Sequence, residues 1–114
     1  MVKKPYVPNR GDIVWVDLNP TLGREQAKTR PAIIVSPRSY NQKTGLALMC
    51  PVTSVQKEYP FEVMIKTSKV TGVILSDHIR SLDWRARNVT FIVKAKPALT
   101  QEVQTMLKLL IEST

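Results

Sequence analysis

Acidic residues are scarce in this chain: 9 Asp and Glu stand against 17 Lys and Arg, leaving a formal charge of +8 over 114 residues. Cysteine and histidine are scarcer still, with Cys50 and His78 the sole examples. One cysteine makes no internal disulfide, and one of each cannot supply the four ligands of a Cys/His zinc cage. Long apolar runs are missing too. Leu46–Met49 and Gly72–Leu75 fall far short of the roughly 20 residues of a membrane span, and the opening MVKKPYVPNRGD has no apolar signal core. Four glycines cannot provide a dinucleotide fingerprint as well as the turns, and the chain has no G-x-S-x-G elbow, no H-E-x-x-H and no Asp-rich cluster. The expectation is one soluble, basic domain over residues 1–114, suited to a reducing cytoplasm.

What is present reads as short strands. Eight prolines and turn pairs such as Asn19-Pro20, Thr44-Gly45, Tyr59-Pro60 and Thr71-Gly72 punctuate the chain. Strands are expected at Gly11–Leu18, Arg30–Ser36, Leu46–Val52, Phe61–Ile65, Gly72–Ser76 and Asn88–Lys94, with a long polar loop over Asn19–Thr29 and one helical turn at Pro37–Asn41. Within Arg30–Ser36 the apolar residues run on instead of alternating, which predicts burial on both faces. The period then changes. Val103, Met106, Leu107, Leu110 and Ile111 recur at helical spacing, with Thr100 as N-cap, predicting an amphipathic helix over about residues 100–112. Many short strands followed by one helix predict a mainly β fold, a strongly curved sheet or partly open barrel with a C-terminal α-helix packed on it.

The charge favours a polyanionic partner such as nucleic acid, an anionic membrane surface or an acidic protein segment. A two-histidine acid–base pair is out of reach with His78 alone, so phosphodiester chemistry would rest on Arg, Lys, carboxylates and hydroxyls. The polar loop holds such a set: Arg24, Glu25, Gln26, Lys28 and Arg30. A guanidinium fork can span two phosphate oxygens, and a carboxylate can take a proton from a ribose hydroxyl. A charged surface loop is the plainer reading of those same residues.

The stretch GDIVWVDLNPTLGREQAKTRPAIIVSP, Gly11–Pro37, resembles the signature of the MazF/PemK toxins of bacterial toxin–antitoxin modules. The likeness continues in order through YNQKTG at Tyr40–Gly45, PVTS at Pro51–Ser54, YPFEV at Tyr59–Val63 and DHIRSLDWRAR at Asp77–Arg87, covering nearly the whole chain. It implies a small SH3-like β-barrel with a C-terminal helix, a homodimer, and metal-independent and cofactor-free cleavage of single-stranded RNA by attack of the 2′-hydroxyl, leaving a 2′,3′-cyclic phosphate and a 5′-hydroxyl. Matched motif to motif, Arg30 and Thr53 take the catalytic positions and Glu25 is the third. Arg30 would stabilise the transition state, Thr53 would orient the phosphate or the 2′-hydroxyl, and Glu25 would be the general base.

Gln26, Lys28, Gln56 and Lys57 would then line the substrate groove. Arg80, Arg85 and Arg87 form a basic strip suited to the acidic, flexible segment of an antitoxin, through which alone DNA would be met. Trp15 and Trp84 are read as packing or dimer-seam residues, His78 as structural and Cys50 as a buried small hydrophobe. Thr29 stands where some relatives have histidine, and Lys66–Thr71 matches no pattern of the family. Two rival functions are a gyrase-binding, non-enzymatic toxin, since the CcdB toxins share this fold, and a plain SH3-like nucleic-acid-binding module.

Overall fold

The computed structural model describes residues 5–18 and 29–113. Segments rich in β-branched and aromatic side chains form the strands, β1 (Asp12–Asp17), β2 (Thr29–Ile34), β3 (Leu46–Thr53), β4 (Glu62–Lys66), β5 (Thr71–Leu75), β6 (Arg80–Asp83) and β7 (Thr90–Lys94). Helix α1 (Arg38–Thr44) lies between β2 and β3, and α2 (Pro97–Glu112) closes the described chain. Neighbouring strands run in the order β4-β5-β3-β2-β1-β7, with β6 also paired to β3, and all the pairings are antiparallel.

Strand β3 is the hub of this half-barrel. On one flank it pairs with β2; on the other it pairs first with β6, from Leu46–Asp83 to Met49–Arg80, and then with β5, at Val52–Ile74 and Thr53–Val73. The Val35 N–H donates to the Leu48 carbonyl at 2.9 Å, so the even-numbered residues of β3 turn their backbone to β2 and the odd ones to the far flank. Pro51, odd-numbered, thus faces the point where β6 hands over to β5. No partner there asks for the N–H that proline lacks, which is how it is tolerated inside a central strand.

Successive residues of the central strands enter opposite cores. Ile13, Ile33, Cys50 and Val52 join β4, β5 and α2 in one cluster, while Val14, Val16, Ala32, Ile34 and Met49 join Leu82 and Trp84 in the other. The continuous apolar run of β2 is therefore buried on both faces, as its sequence predicts. Cys50 is buried as expected, and burial, with a smaller contribution from the charge of Asp77, pushes its thiol up to about 12. Trp84 is only 7% exposed and its Nε1–H donates to the Asn41 carbonyl at 2.9 Å. It packs within its own chain, so the dimer-seam reading is dropped for Trp84; Trp15, at 41%, stays exposed.

Several boundaries differ from expectation. Thr100 is not the N-cap of α2: the helix starts at Pro97, whose ring presets the helical φ, Lys96 stands at the cap, and Thr100 is buried on the inner face with Val103 and Leu107. Leu110 and Ile111, expected on the packed stripe, are 37% and 81% exposed. Helix α1 runs on to Thr44 and ends at Gly45, whose φ of 75° is the left-handed C-cap conformation. Strand β7 starts at Thr90 because Asn88, at φ 54°, still belongs to a turn.

Asn41, fully buried, ties three segments together. Its Nδ2 donates to the carbonyls of Pro8 (2.8 Å) and Ser36 (3.0 Å), and its Oδ1 accepts from the Ser36 hydroxyl. Asn41→Ala leaves those groups buried and unpaired, a loss of about 3 kcal/mol. The expected fall in Tm is more than about 10 °C in a thermal melt; a shift within about 3 °C would show that water replaces the amide.

Candidate active site

The two residues given catalytic positions by the family resemblance are brought to one place by strand register. Ala32 on β2 faces Pro51 on β3, and the same antiparallel register carried two residues further sets Arg30 opposite Thr53. Because side chains alternate, both lie on the face of Ala32 and Met49, over the second core cluster. Pro31 has no N–H to give β3, so the β2–β3 ladder stops just before this pair and the strand ends are left open. Arg30 keeps its backbone pairing to Val16 of β1 and is exposed. The Thr53 hydroxyl accepts the Val55 N–H at 3.2 Å, which leaves its own proton available for donation.

Three more guanidinium contacts shape this end of the sheet. Arg80 donates to the Leu18 carbonyl at 2.7 Å, and Arg87 donates to that same oxygen at 2.9 Å and to the Asp17 carbonyl at 3.1 Å. Two cations thus hold the last described residue of the β1 end, on the core face that Arg30 shares. The Asp17 carboxylate is fixed as well, accepting from the Thr29 hydroxyl (2.9 Å) and Asn88 Nδ2 (3.0 Å). The result is a concentration of positive charge with exposed guanidinium edges, suited to a phosphodiester. Among the described residues, no three of His, Cys, Asp and Glu gather as metal ligands would.

This is the geometry into which the comparisons fall. The family model described as PemK-like, MazF-like toxin of type II toxin–antitoxin system matches residues 9–111. The chain belongs to this family. The endoribonuclease toxin MazF of Escherichia coli K12 is 44% identical over 106 residues, covering 93% of this chain and 96% of that protein. Among solved structures, MazF from Deinococcus radiodurans superposes with a TM-score of 0.84 at 45% identity, covering 94% of this chain and 98% of that one. A MazE–MazF complex from the same organism gives a TM-score of 0.89 at 44% identity, covering 96% of this chain and the whole of that one. The barrel-like fold with its C-terminal helix is the MazF fold.

In this MazF-family toxin the other sequence-predicted residues are placed as follows. Glu25, Gln26 and Lys28, with the rest of the polar loop from 19 to 28, lie outside the described residues. Gln56 and Lys57 are exposed on the segment that follows Thr53. That segment is held by a residue whose role the sequence did not disclose: the Glu62 carboxylate accepts the N–H groups of Lys57 (3.2 and 3.3 Å) and Glu58 (2.9 Å), with Glu58 at φ 60°. The only signal for it is its place in YPFEV, two residues past a turn proline.

The predicted basic strip divides. Arg80 and Arg87 hold the Leu18 carbonyl, whereas Arg85 lies over the Trp84 ring, its guanidinium carbon 4.8 Å from the centroid. His78 is exposed on the short 3-10 turn Ser76–His78, with Nε2 3.9 Å from the Asp77 carboxylate.

Proposed function

We propose that this chain is the toxin of a type II toxin–antitoxin module, an endoribonuclease that cuts single-stranded RNA, mRNA above all, at short sequences without a metal or other cofactor, halting translation and growth. The observation that carries the reading is the register that sets Arg30 opposite Thr53 at the open end of β2 and β3, in a chain that belongs to a family of endoribonuclease toxins. Neither gyrase binding nor passive RNA binding asks for that pair.

In the proposed reaction the 2′-oxygen forms a bond to the adjacent phosphorus and the bond from phosphorus to the 5′-oxygen breaks. Glu25 takes the 2′-proton, and the leaving 5′-oxygen gains a proton to become the 5′-hydroxyl. Arg30 binds the non-bridging oxygens and offsets the charge that grows on them; free Arg, with a pKa above about 12, is a poor acid, so its role is electrostatic. Thr53 donates its free hydroxyl proton to the phosphate or the 2′-hydroxyl. Arg80 and Arg87 add field and fix the strand end that leads into the loop of Glu25. Gln26, Lys28, Gln56 and Lys57 line the path of the RNA, where amides and ammonium groups read base edges and phosphates.

An antitoxin with an acidic flexible segment would inhibit by covering the same cations, Arg30, Arg80 and Arg87, in competition with RNA. MazE in complex with the Deinococcus MazF fits such a partner. A second copy of the chain would cover the apolar groove of about 470 Å3 that includes Val35, Leu48, Ile79, Leu110 and Ile111, giving a homodimer in the cytoplasm.

The deciding experiment is incubation of a long single-stranded RNA with the purified protein in excess EDTA. Discrete cuts with 5′-hydroxyl and 2′,3′-cyclic phosphate ends are expected. RNA that is bound but emerges whole would overturn the reading in favour of a binding module.

A further inference from the structure

A second basic cleft lies far from Arg30 and Thr53. It has a volume of about 890 Å3 and is lined by Tyr6, Val7, Arg38, Gln42, Trp84 and Arg85. Arg85 follows β6, whose Asp83 pairs with Leu46 at the start of β3, so the cleft and Thr53 sit at opposite ends of an eight-residue strand, about 23 Å apart along it.

Its parts are fixed in a particular way. Trp84 is buried and anchored through Nε1, and the Arg85 guanidinium lies on its ring. The Arg85 backbone is pinned as its N–H donates to Asp83 Oδ1 at 3.0 Å. The guanidinium plane is thus held with one face against Trp84 while the residue remains exposed. Arg38, on α1, is exposed and anchored by its N–H to Asn9 Oδ1 at 3.0 Å. Gln42 stands one turn further along the same helix. No described carboxylate lines the cleft; that of Asp83 is taken up by the N–H groups of Arg85 and Ala86.

We propose that this cleft is an exosite for single-stranded RNA, which holds a stretch of substrate remote from the cut. An unpaired base stacks on the free face of the Arg85 plane, Gln42 offers its amide to a base edge, and Arg38 pairs with a phosphate. The charge, the planar platform and the apolar floor of Val7 and Tyr6 together fit a nucleotide. The inference deepens the endoribonuclease reading and rests on it: the exosite would favour long transcripts over short oligonucleotides.

The test uses RNA with every 2′-hydroxyl methylated, which blocks cleavage, in lengths of about 8 and about 24 nucleotides. Arg38→Gln/Arg85→Gln should weaken the longer RNA about tenfold and leave the shorter within about twofold. The dependence of log affinity on log salt for the longer RNA should fall by about 1.4, about 0.7 per lost phosphate contact. Arg85→Lys keeps the charge and loses the plane, so affinity should drop with the salt slope retained.

Equal binding of both lengths by wild type and double variant would overturn the proposal. So would unaltered RNA binding combined with loss of poly-glutamate binding, which would make the cleft a seat for an acidic protein segment. Failure of the wild type to cut unmodified RNA would count against the endoribonuclease reading alone, because this comparison needs no cutting.

Discussion

Arg30→Ala should lower kcat/KM for RNA cleavage by about a thousandfold while leaving Tm unchanged. The side chain is exposed and lies beyond the last bridged pair of β2 and β3, so its loss opens no cavity. What disappears is a cation aimed at the oxygens that gain charge as the phosphorus becomes five-coordinate. A single preorganised donor is commonly worth about 3 kcal/mol in such a site, and a charged fork stands at the upper end of that range. Arg30→Lys should recover only part of the rate, since a point charge replaces two parallel donors. Undiminished cleavage by the alanine variant would remove Arg30 from the mechanism, and a fall in Tm to match the fall in rate would make its role structural.

A larger combined effect is expected at a residue that touches no substrate. Gly72 opens the approach of β5 to β3, and a Cβ placed on it would stand 2.3 Å from the Thr53 carbonyl oxygen and 3.0 Å from its carbon. Both are backbone atoms, so no side chain can swing aside to make room. Gly72→Ala must part β5 from β3 beside the Thr53–Val73 pair, displacing the hydroxyl proposed to act on the phosphate. Overpacking of this kind costs about 1–3 kcal/mol in stability, and a shift near 1 Å in a reacting group costs about a hundredfold in rate. Both Tm and kcat should therefore fall, unlike the Arg30 case. Wild-type kcat in a folded Gly72→Ala protein would show that Thr53 need not be held where β5 leaves it.

How far these features are legible in the sequence depends on whether their cause is local. β2 is readable because the run from Ala32 to Val35 carries its double burial in its own composition. β6 is not: Arg-Ser-Leu-Asp has one apolar residue, and only pairing with Leu46–Met49 makes it a strand. The start of α2 was misplaced because Thr100 has the chemistry of a cap, while Pro97 three residues earlier has the geometry of a first helical residue. At the site, register sets Arg30 opposite Thr53, and register is a property of two strands together; the resemblance named both residues without showing why they meet. Charge counting found Arg80, Arg85 and Arg87. It could not show that two of them reach a carbonyl at Leu18, 62 and 69 residues away, while the third lies on a tryptophan.

Pro51 bears on how the molecule comes apart. Because it offers no N–H to the flank where β6 gives way to β5, the two ladders that β3 shares are not stitched to each other at that residue. The half of the sheet built on β6, with Trp84 and Asn41, is knit to the deep core, whereas the half built on β4 and β5 carries Thr53 and the exposed segment after it. Local opening follows such seams. The β4–β5 half is thus a separate cooperative unit of lower protection, able to fray and re-anneal about its proline while the scaffold stays closed, so the reactive edge draws its mobility from a discontinuity in the ladder and not from a weaker core.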